Sequence, residues 1–208
     1  MTTDLKALLI FIASFVIQSF AYWGTQFFAK NPNIIGNKID EKIPFLPIFI
    51  YPYVAWYILI PLVPFALYMY SIENFAIYMM ALTINNIVSG IIYLIYPTTF
   101  DRKDPKGDSF SVKLVLLVYK NDTKILSCLP SLHCALSVLF IIATLYANSL
   151  PLVYKISFLV ISILVIPATV FVKQHVLVDI IAAIPIAIIS WYVALAIGAE
   201  RFLAFFKF

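Results

Sequence analysis

The sequence predicts an all-α membrane protein: six transmembrane helices in a single bundle, with a short interfacial helix between helices 3 and 4. Three observations carry this expectation. Of 208 residues, 63% are hydrophobic and 12% charged, against roughly half and a quarter in soluble domains. Apolar runs long enough to cross a bilayer, about 20 residues each, recur along the chain. Tyrosines and tryptophans gather near the ends of those runs, as interfacial aromatics do.

The first run is Ala7 to Ala29. Its start, Met1-Thr2-Thr3-Asp4, lacks a strong basic region and no small-residue cleavage site follows, so a retained helix is expected and not a signal peptide. A polar linker, Lys30 to Lys42, carries Asn-Pro and Ile-Gly-Asn turn signals. The second run, Ile43 to Ile72, holds Pro44, Pro47, Pro52, Pro61 and Pro64, which suggests an extended entry and then a kinked helix. The third is Asn74 to Phe100, and its mid-run pair Asn85-Asn86 should face other helices.

Asp101 to Lys124 is the longest charged segment. Within it Phe110, Leu114, Leu117 and Val118 recur at helical spacing, the pattern of a short helix lying on the interface. The fourth run starts near Pro130-Ser131 and ends at about Ser149. Pro151 and Lys155 mark a short turn. Ile156 to Val172 is the fifth run and Val176 to Gly198 the sixth. Tyr22, Trp23, Trp56, Tyr57, Tyr96, Tyr146, Tyr154, Trp191 and Tyr192 lie near predicted ends. No repeat, low-complexity tract or soluble domain interrupts the pattern, so residues 1–208 read as one integral-membrane domain.

With six crossings, the linkers after helices 1, 3 and 5 share one membrane face. The charged segment, Pro130-Ser131-Leu132-His133 and Lys173-Gln174-His175 all emerge there. The chain has two histidines, and each sits at such a junction. His175 and Asp179 are four residues apart, so on a helix they share one face. The carboxylate can accept the proton of one imidazole nitrogen and leave the other free to attack. An ionisable group just inside a bilayer is costly unless paired or functional. The alternative is a polar pair that only anchors helix 6.

His133 falls in the first turn of helix 4, after a proline suited to a helix start and a serine suited to its N-cap. Free N–H groups there attract phosphate oxygens, and a histidine beside bound phosphate can protonate a leaving alkoxide. The alternative is a capping motif with an incidental histidine. Arg102, Lys103 and Lys106 supply cations for a phosphate, with Lys173 a further candidate. The interleaved Asp101, Asp104, Asp108 and Asp122 would also suit a solvated loop. The +4 net charge is modest and uneven, pointing to anionic lipid or phosphate more than to nucleic acid. Two cysteines, Cys128 and Cys134, give no disulfide framework. No His-x-x-x-His or Cys-x-x-Cys seed marks a metal site, and no Gly-x-Ser-x-Gly elbow surrounds Ser131.

Taken together, these pieces resemble the type 2 phosphatidic acid phosphatase superfamily of lipid phosphate phosphatases, over essentially the whole chain. That family carries Lys-x6-Arg-Pro, then Pro-Ser-Gly-His, then Ser-Arg-x5-His-x3-Asp. Here the second reads Pro130-Ser131-Leu132-His133, the third ends in His175-x3-Asp179, and Arg102 represents the first. The leucine form, with Tyr96-Pro97-Thr98 leading to Arg102, resembles the branch that includes inositol phosphorylceramide synthases. Ile95 stands where the family has its first lysine, Lys103 where it has proline, and Ala168-Thr169 where it has Ser-Arg.

The resemblance implies a metal-independent mechanism without a cofactor, acting on a lipid phosphate held in the bilayer. His175 would attack phosphorus with help from Asp179, and His133 would protonate the departing alcohol. Arg102, Lys173, Ser131 and the helix-4 N–H groups would hold the phosphoryl oxygens, with Lys103 or Lys106 replacing a missing cation. Two rivals remain: a phosphotransferase passing the head group to an alcohol, and a non-catalytic scaffold or transporter with a degenerate site. Relatives place the site outside the cytoplasm, and that is the expectation here. Of 14 basic residues, Lys6, Lys155, Arg201 and Lys207 lie on the opposite face, so the positive-inside rule argues the reverse. A phosphate site is basic on either side.

Overall fold

The structure is a computed structural model that describes residues 2–122 and 124–208. It is mostly helical, at 74%. Helix α1 (Thr3–Ser19) starts ahead of the apolar run, because the Thr2 hydroxyl accepts from the Leu5 N–H and Asp4 suits the first turn. It continues through a π turn (Phe20–Gly24) and a 3₁₀ turn (Thr25–Phe27). The linker holds strand β1 (Asn33–Ile34) and helix α2 (Lys38–Lys42). As the prolines suggest, the chain enters its next span extended, passes a 3₁₀ turn (Pro47–Phe49) and forms α3 (Ile50–Tyr70) around Pro61 and Pro64.

Helix α4 (Ile72–Ile95) ends before the expected Phe100, because Pro97 opposes helix in the residue ahead of it. Thr98–Thr99 leave as strand β2, which pairs in parallel with β1, Asn33 opposite Thr98. Asn85 and Asn86 are fully buried, as a polar pair inside a bundle should be. Gly90 lies where α4 meets the π turn of α1. A Cβ there would stand 3.1 Å from that of Ala21, so the close approach favours glycine.

Helix α5 (Phe110–Asn121) forms within the charged segment. Its protein-facing side is Val112, Val115 and Tyr119, whereas Phe110 and Leu117 of the expected apolar stripe are exposed. Helices α6 (Leu132–Tyr146), α7 (Leu152–Phe171) and α8 (Leu177–Ile197) complete the bundle. Pro151 caps α7 and Lys155 lies in its first turn, so the expected turn is shorter than Pro151 to Lys155. Gly198, with φ of 85°, ends α8, and a short helix α9 (Ala199–Phe205) follows that the sequence did not announce.

Among the described residues, five helical stretches are long and apolar enough to cross a membrane: Thr3–Phe27, Pro47–Tyr70, α4, α7 and α8. This is an all-α integral membrane protein. Helix α6 differs. It has 15 residues, about 22 Å of helix against a bilayer core of about 30 Å. It is packed on α7, α8 and α4 with most of its residues buried. The aromatics divide as well. Trp23, Tyr57 and Tyr192 are exposed near helix ends, but Trp56 and Trp191 are buried and belong to the core.

Candidate functional site

The end of α7 sets the position of His175. The helix stops at Phe171, and Lys173 takes a left-handed conformation with φ of 55°. This turns the chain back, so that the N–H groups of Gln174 and His175 both donate to the Thr169 carbonyl, at 2.9 and 3.1 Å. The next helix begins two residues later. His175 thus lies ahead of α8, and Asp179 lies in its first turn. The pair does not share a helical face as the spacing suggested. Instead the Asp179 carboxylate reaches back over the helix start, where orphan N–H groups need acceptors. Its Oδ2 lies 2.9 Å from His175 Nδ1 and accepts from the Val176 N–H at 3.1 Å. With Nδ1–H donating to Asp179, Nε2 carries the lone pair.

His133 comes to the same point from α6. Ser131 is the N-cap, its hydroxyl accepting from the Cys134 N–H at 3.3 Å. The Ser131 N–H donates to the backbone carbonyl of Asp179 at 3.2 Å, which levels the start of α6 with the start of α8. The Tyr93 hydroxyl donates to the Pro130 carbonyl from α4. The result is a separation of 5.9 Å between the His133 and His175 ring centroids.

Three aromatics of α3 surround His133. Its ring stacks on Tyr53 at 4.5 Å, lies tilted on Trp56 at 4.2 Å and meets the edge of Tyr57 at 6.0 Å. Sequence reasoning missed this shell, reading Trp56 and Tyr57 as interfacial anchors and giving Tyr53 no role. Its only sequence signal is the spacing of Tyr53, Trp56 and Tyr57, which is helical.

Arg102 is held within the protein. Its side chain is 4% exposed and pairs with Asp122 at 3.5 Å. It donates to the Asp122 backbone carbonyl at 2.8 Å and to Gln174 Oε1 at 3.0 Å. The guanidinium lies 3.9 Å above the Tyr119 ring, a cation–π contact. The Tyr119 hydroxyl in turn donates to the Val172 carbonyl at 2.8 Å. One side chain of α5 therefore touches both Arg102 and the turn that carries His175. Burial pushes the Tyr119 hydroxyl up to about 12, and the nearby Arg102 limits the rise.

Lys173 points its ammonium at the linker, donating to the carbonyls of Asp40 and Ile43. Partial burial lowers its pKa, and Asp40 works against the shift. Asp40 itself accepts from the Leu177 N–H at 2.8 Å, so the linker caps α8. Arg102, Lys103, Lys106, Lys173 and His175 line one cavity of about 920 Å³, with Lys38 and the acids Asp40, Glu41, Asp101 and Asp104. Val170 and Phe100 give it an apolar wall. His133 and Ser131 lie outside that cavity, His133 behind its aromatic shell. Burial pushes the Cys128 thiol up, with the Asp179 and Asp122 carboxylates adding to it, so it remains a thiol.

The structure thus joins His133, His175 and Asp179 in one cluster, and Arg102, Lys103, Lys106 and Lys173 around the cavity beside it. No protein-family model, curated protein or solved structure matches the chain.

Proposed function

We propose that the chain is a membrane lipid phosphatase of the type 2 phosphatidic acid phosphatase kind, hydrolysing a lipid phosphomonoester or diphosphate through a phosphohistidine. One observation carries the reading. A buried carboxylate holds Nδ1 of His175 at 2.9 Å, and a second imidazole stands 5.9 Å away between ring centroids. Such an arrangement gives a nucleophile with its orienting group and a second acid–base group on the same reacting centre. The cations of the cavity, five against four acids, support it, since a phosphoryl group needs its equatorial charge neutralised.

In this mechanism His175 Nε2 attacks phosphorus, and the alcohol or phosphate leaves with a proton from His133. Asp179 holds the Nδ1 proton while positive charge develops on the ring. Water, losing its proton to His133, then attacks the phosphohistidine and releases phosphate, restoring both imidazoles. Lys103 and Lys106 neutralise the phosphoryl oxygens. Arg102 and Lys173 join them by exchanging Asp122 and the linker carbonyls for phosphate. His133 gains the leaving group when Tyr53 and Trp56 shift off it.

The reading includes α6 as a sixth crossing, shorter than the others. It also lays α5 on the interface with Phe110 and Leu117 in the lipid, and opens the site away from the cytoplasm. A second reading, a non-catalytic membrane scaffold or transporter, is favoured by the same guanidinium, already satisfied by protein partners and 4% exposed. The test is phosphate release by the detergent-purified chain from phosphatidic acid, phosphatidylglycerol phosphate and polyprenyl phosphate, with chelator present. Release that disappears in His175→Ala supports the phosphatase. Head-group exchange between lipids without release supports a phosphotransferase on the same residues. Neither activity supports the scaffold.

A further inference from the structure

A groove of about 740 Å³ lies between α1, α4 and α9, remote from the histidine cluster. On α1 it is lined by Lys6, Ile10, Ala13 and Ile17, a single helical stripe. Lys6 to Ile17 is eleven steps of helix, about 16 Å, which is half of a bilayer core of about 30 Å. The Ser14 and Thr83 hydroxyls bond to each other at 3.0 Å and join α1 to α4 along its floor. The groove therefore has the depth of one leaflet.

Its charge is one-sided. Lys6 and Arg201 line it, and no acidic side chain among the described residues does. The Lys6 ammonium donates to the Lys207 carbonyl and lies 5.7 Å from the Phe208 ring, which keeps it beside α9 and Arg201. A second apolar groove, about 670 Å³ between α1 and α3, provides the contrast. It has Asp4 in its lining, bonded by the Tyr68 hydroxyl, and no cation.

We propose that the α1–α4–α9 groove binds one anionic phospholipid, its phosphate between Lys6 and Arg201 and an acyl chain along the α1 stripe toward Ile17. The cations supply the preference for negative charge, and the apolar stripe supplies the hold on the chain. Cations near an anionic lipid surface contribute about fivefold each, and Lys6 already has a carbonyl partner. The expected preference over a zwitterionic lipid of equal chain length is on the order of tenfold.

Native mass spectrometry of the full chain in detergent, with phosphatidylglycerol and phosphatidylcholine of identical acyl chains, reads this directly. The wild type should retain phosphatidylglycerol preferentially, and Lys6→Gln with Arg201→Gln should bind both lipids equally. Lys30→Gln with Lys120→Gln, which removes equal charge elsewhere, should keep the preference. Ala13→Phe, at an exposed position of the stripe, should weaken retention of both lipids. A preference that survives loss of Lys6 and Arg201, or that Lys30→Gln with Lys120→Gln abolishes equally, overturns the proposal. So does equal binding of the two lipids by the wild type.

Discussion

Replacing Asp179 by asparagine separates the structural and chemical roles of one carboxylate. The side chain is fully buried and accepts two hydrogen bonds, from His175 Nδ1 at 2.9 Å and the Val176 N–H at 3.1 Å. Both end on Oδ2, and the Val176 N–H keeps an oxygen there, so an asparagine can retain both bonds while losing the charge. Stability should fall by about 1–2 kcal/mol as charge-assisted bonds become neutral ones. Turnover should fall far more. The tautomer is kept, with Nδ1–H donating and Nε2 free, but no negative charge remains to offset the positive charge that develops on the ring as Nε2 attacks. Removing one preorganised electrostatic stabiliser of a transition state costs about 10²–10³-fold in turnover, and a loss of that order is expected here. The assay is the initial rate of phosphate release, run beside thermal unfolding of the same preparation. Asp179→Glu, which keeps the charge, should recover part of the rate. An Asp179→Asn protein with turnover within about tenfold of wild type would refute the nucleophile assignment of His175, because attack by Nε2 must place positive charge on a ring that has lost its carboxylate.

Tyr119 and Lys173 give further checks. Tyr119→Leu removes the platform under Arg102, a contact of about 0.5–2 kcal/mol, and should raise KM with little change in kcat. Tyr119→Phe keeps the ring and should leave KM near wild type. The Tyr119 hydroxyl is held protonated up to about 12. Its contribution to stability is therefore whole below its ordinary value of about 10 and lost as pH rises between the two. Unfolding followed from pH 9 to 12 should show a shallower alkaline decline in Tyr119→Phe than in wild type, and identical slopes would count against the assignment. Lys173→Ala frees the carbonyls of Asp40 and Ile43. Limited trypsin digestion should then cut faster after Lys38 or Lys42, and an unchanged rate would mean the Asp40–Leu177 contact alone secures the linker.

The spans were legible because the bilayer imposes a length and a composition that sequence shows directly. The Asn85–Asn86 pair was legible for the same reason: an amide in hydrocarbon must turn inward. Helix α6 was harder. The run from Pro130-Ser131 to about Ser149 reads as one span, and its first polar residues after Tyr146 are Asn148 and Ser149, past the end of the helix. Helix α9 was hidden because Gly198 with the charged Glu200 and Arg201 reads as the end of a span, and the seven residues Ala199–Phe205 are too few to show a helical period. The convergence of His133, His175 and Asp179 follows from their places at helix ends. The partners of Arg102 do not, since Asp122, Gln174 and Tyr119 share no periodicity with it and meet it through tertiary packing alone. Tyr53 and Trp56 were obscured for a related reason. An aromatic near a span end looks the same in sequence whether it faces lipid head groups or an imidazole.

The bond from Asp40 to the Leu177 N–H joins residues 137 positions apart, and this has a consequence for biosynthesis. The linker after α1 leaves the ribosome well ahead of its anchors, Lys173 and the start of α8. A contact of such long range forms only once the start of α8 has been made. Until then β2 can hold only the β1 part of the linker, and the acidic and basic groups of residues 38–42 stay in water. Any product that stops before α8 lacks Asp179 as well as this anchor. An incomplete chain therefore carries neither the histidine–carboxylate pair nor a closed cavity. A protease meeting the loose linker would distinguish half-made molecules from finished ones.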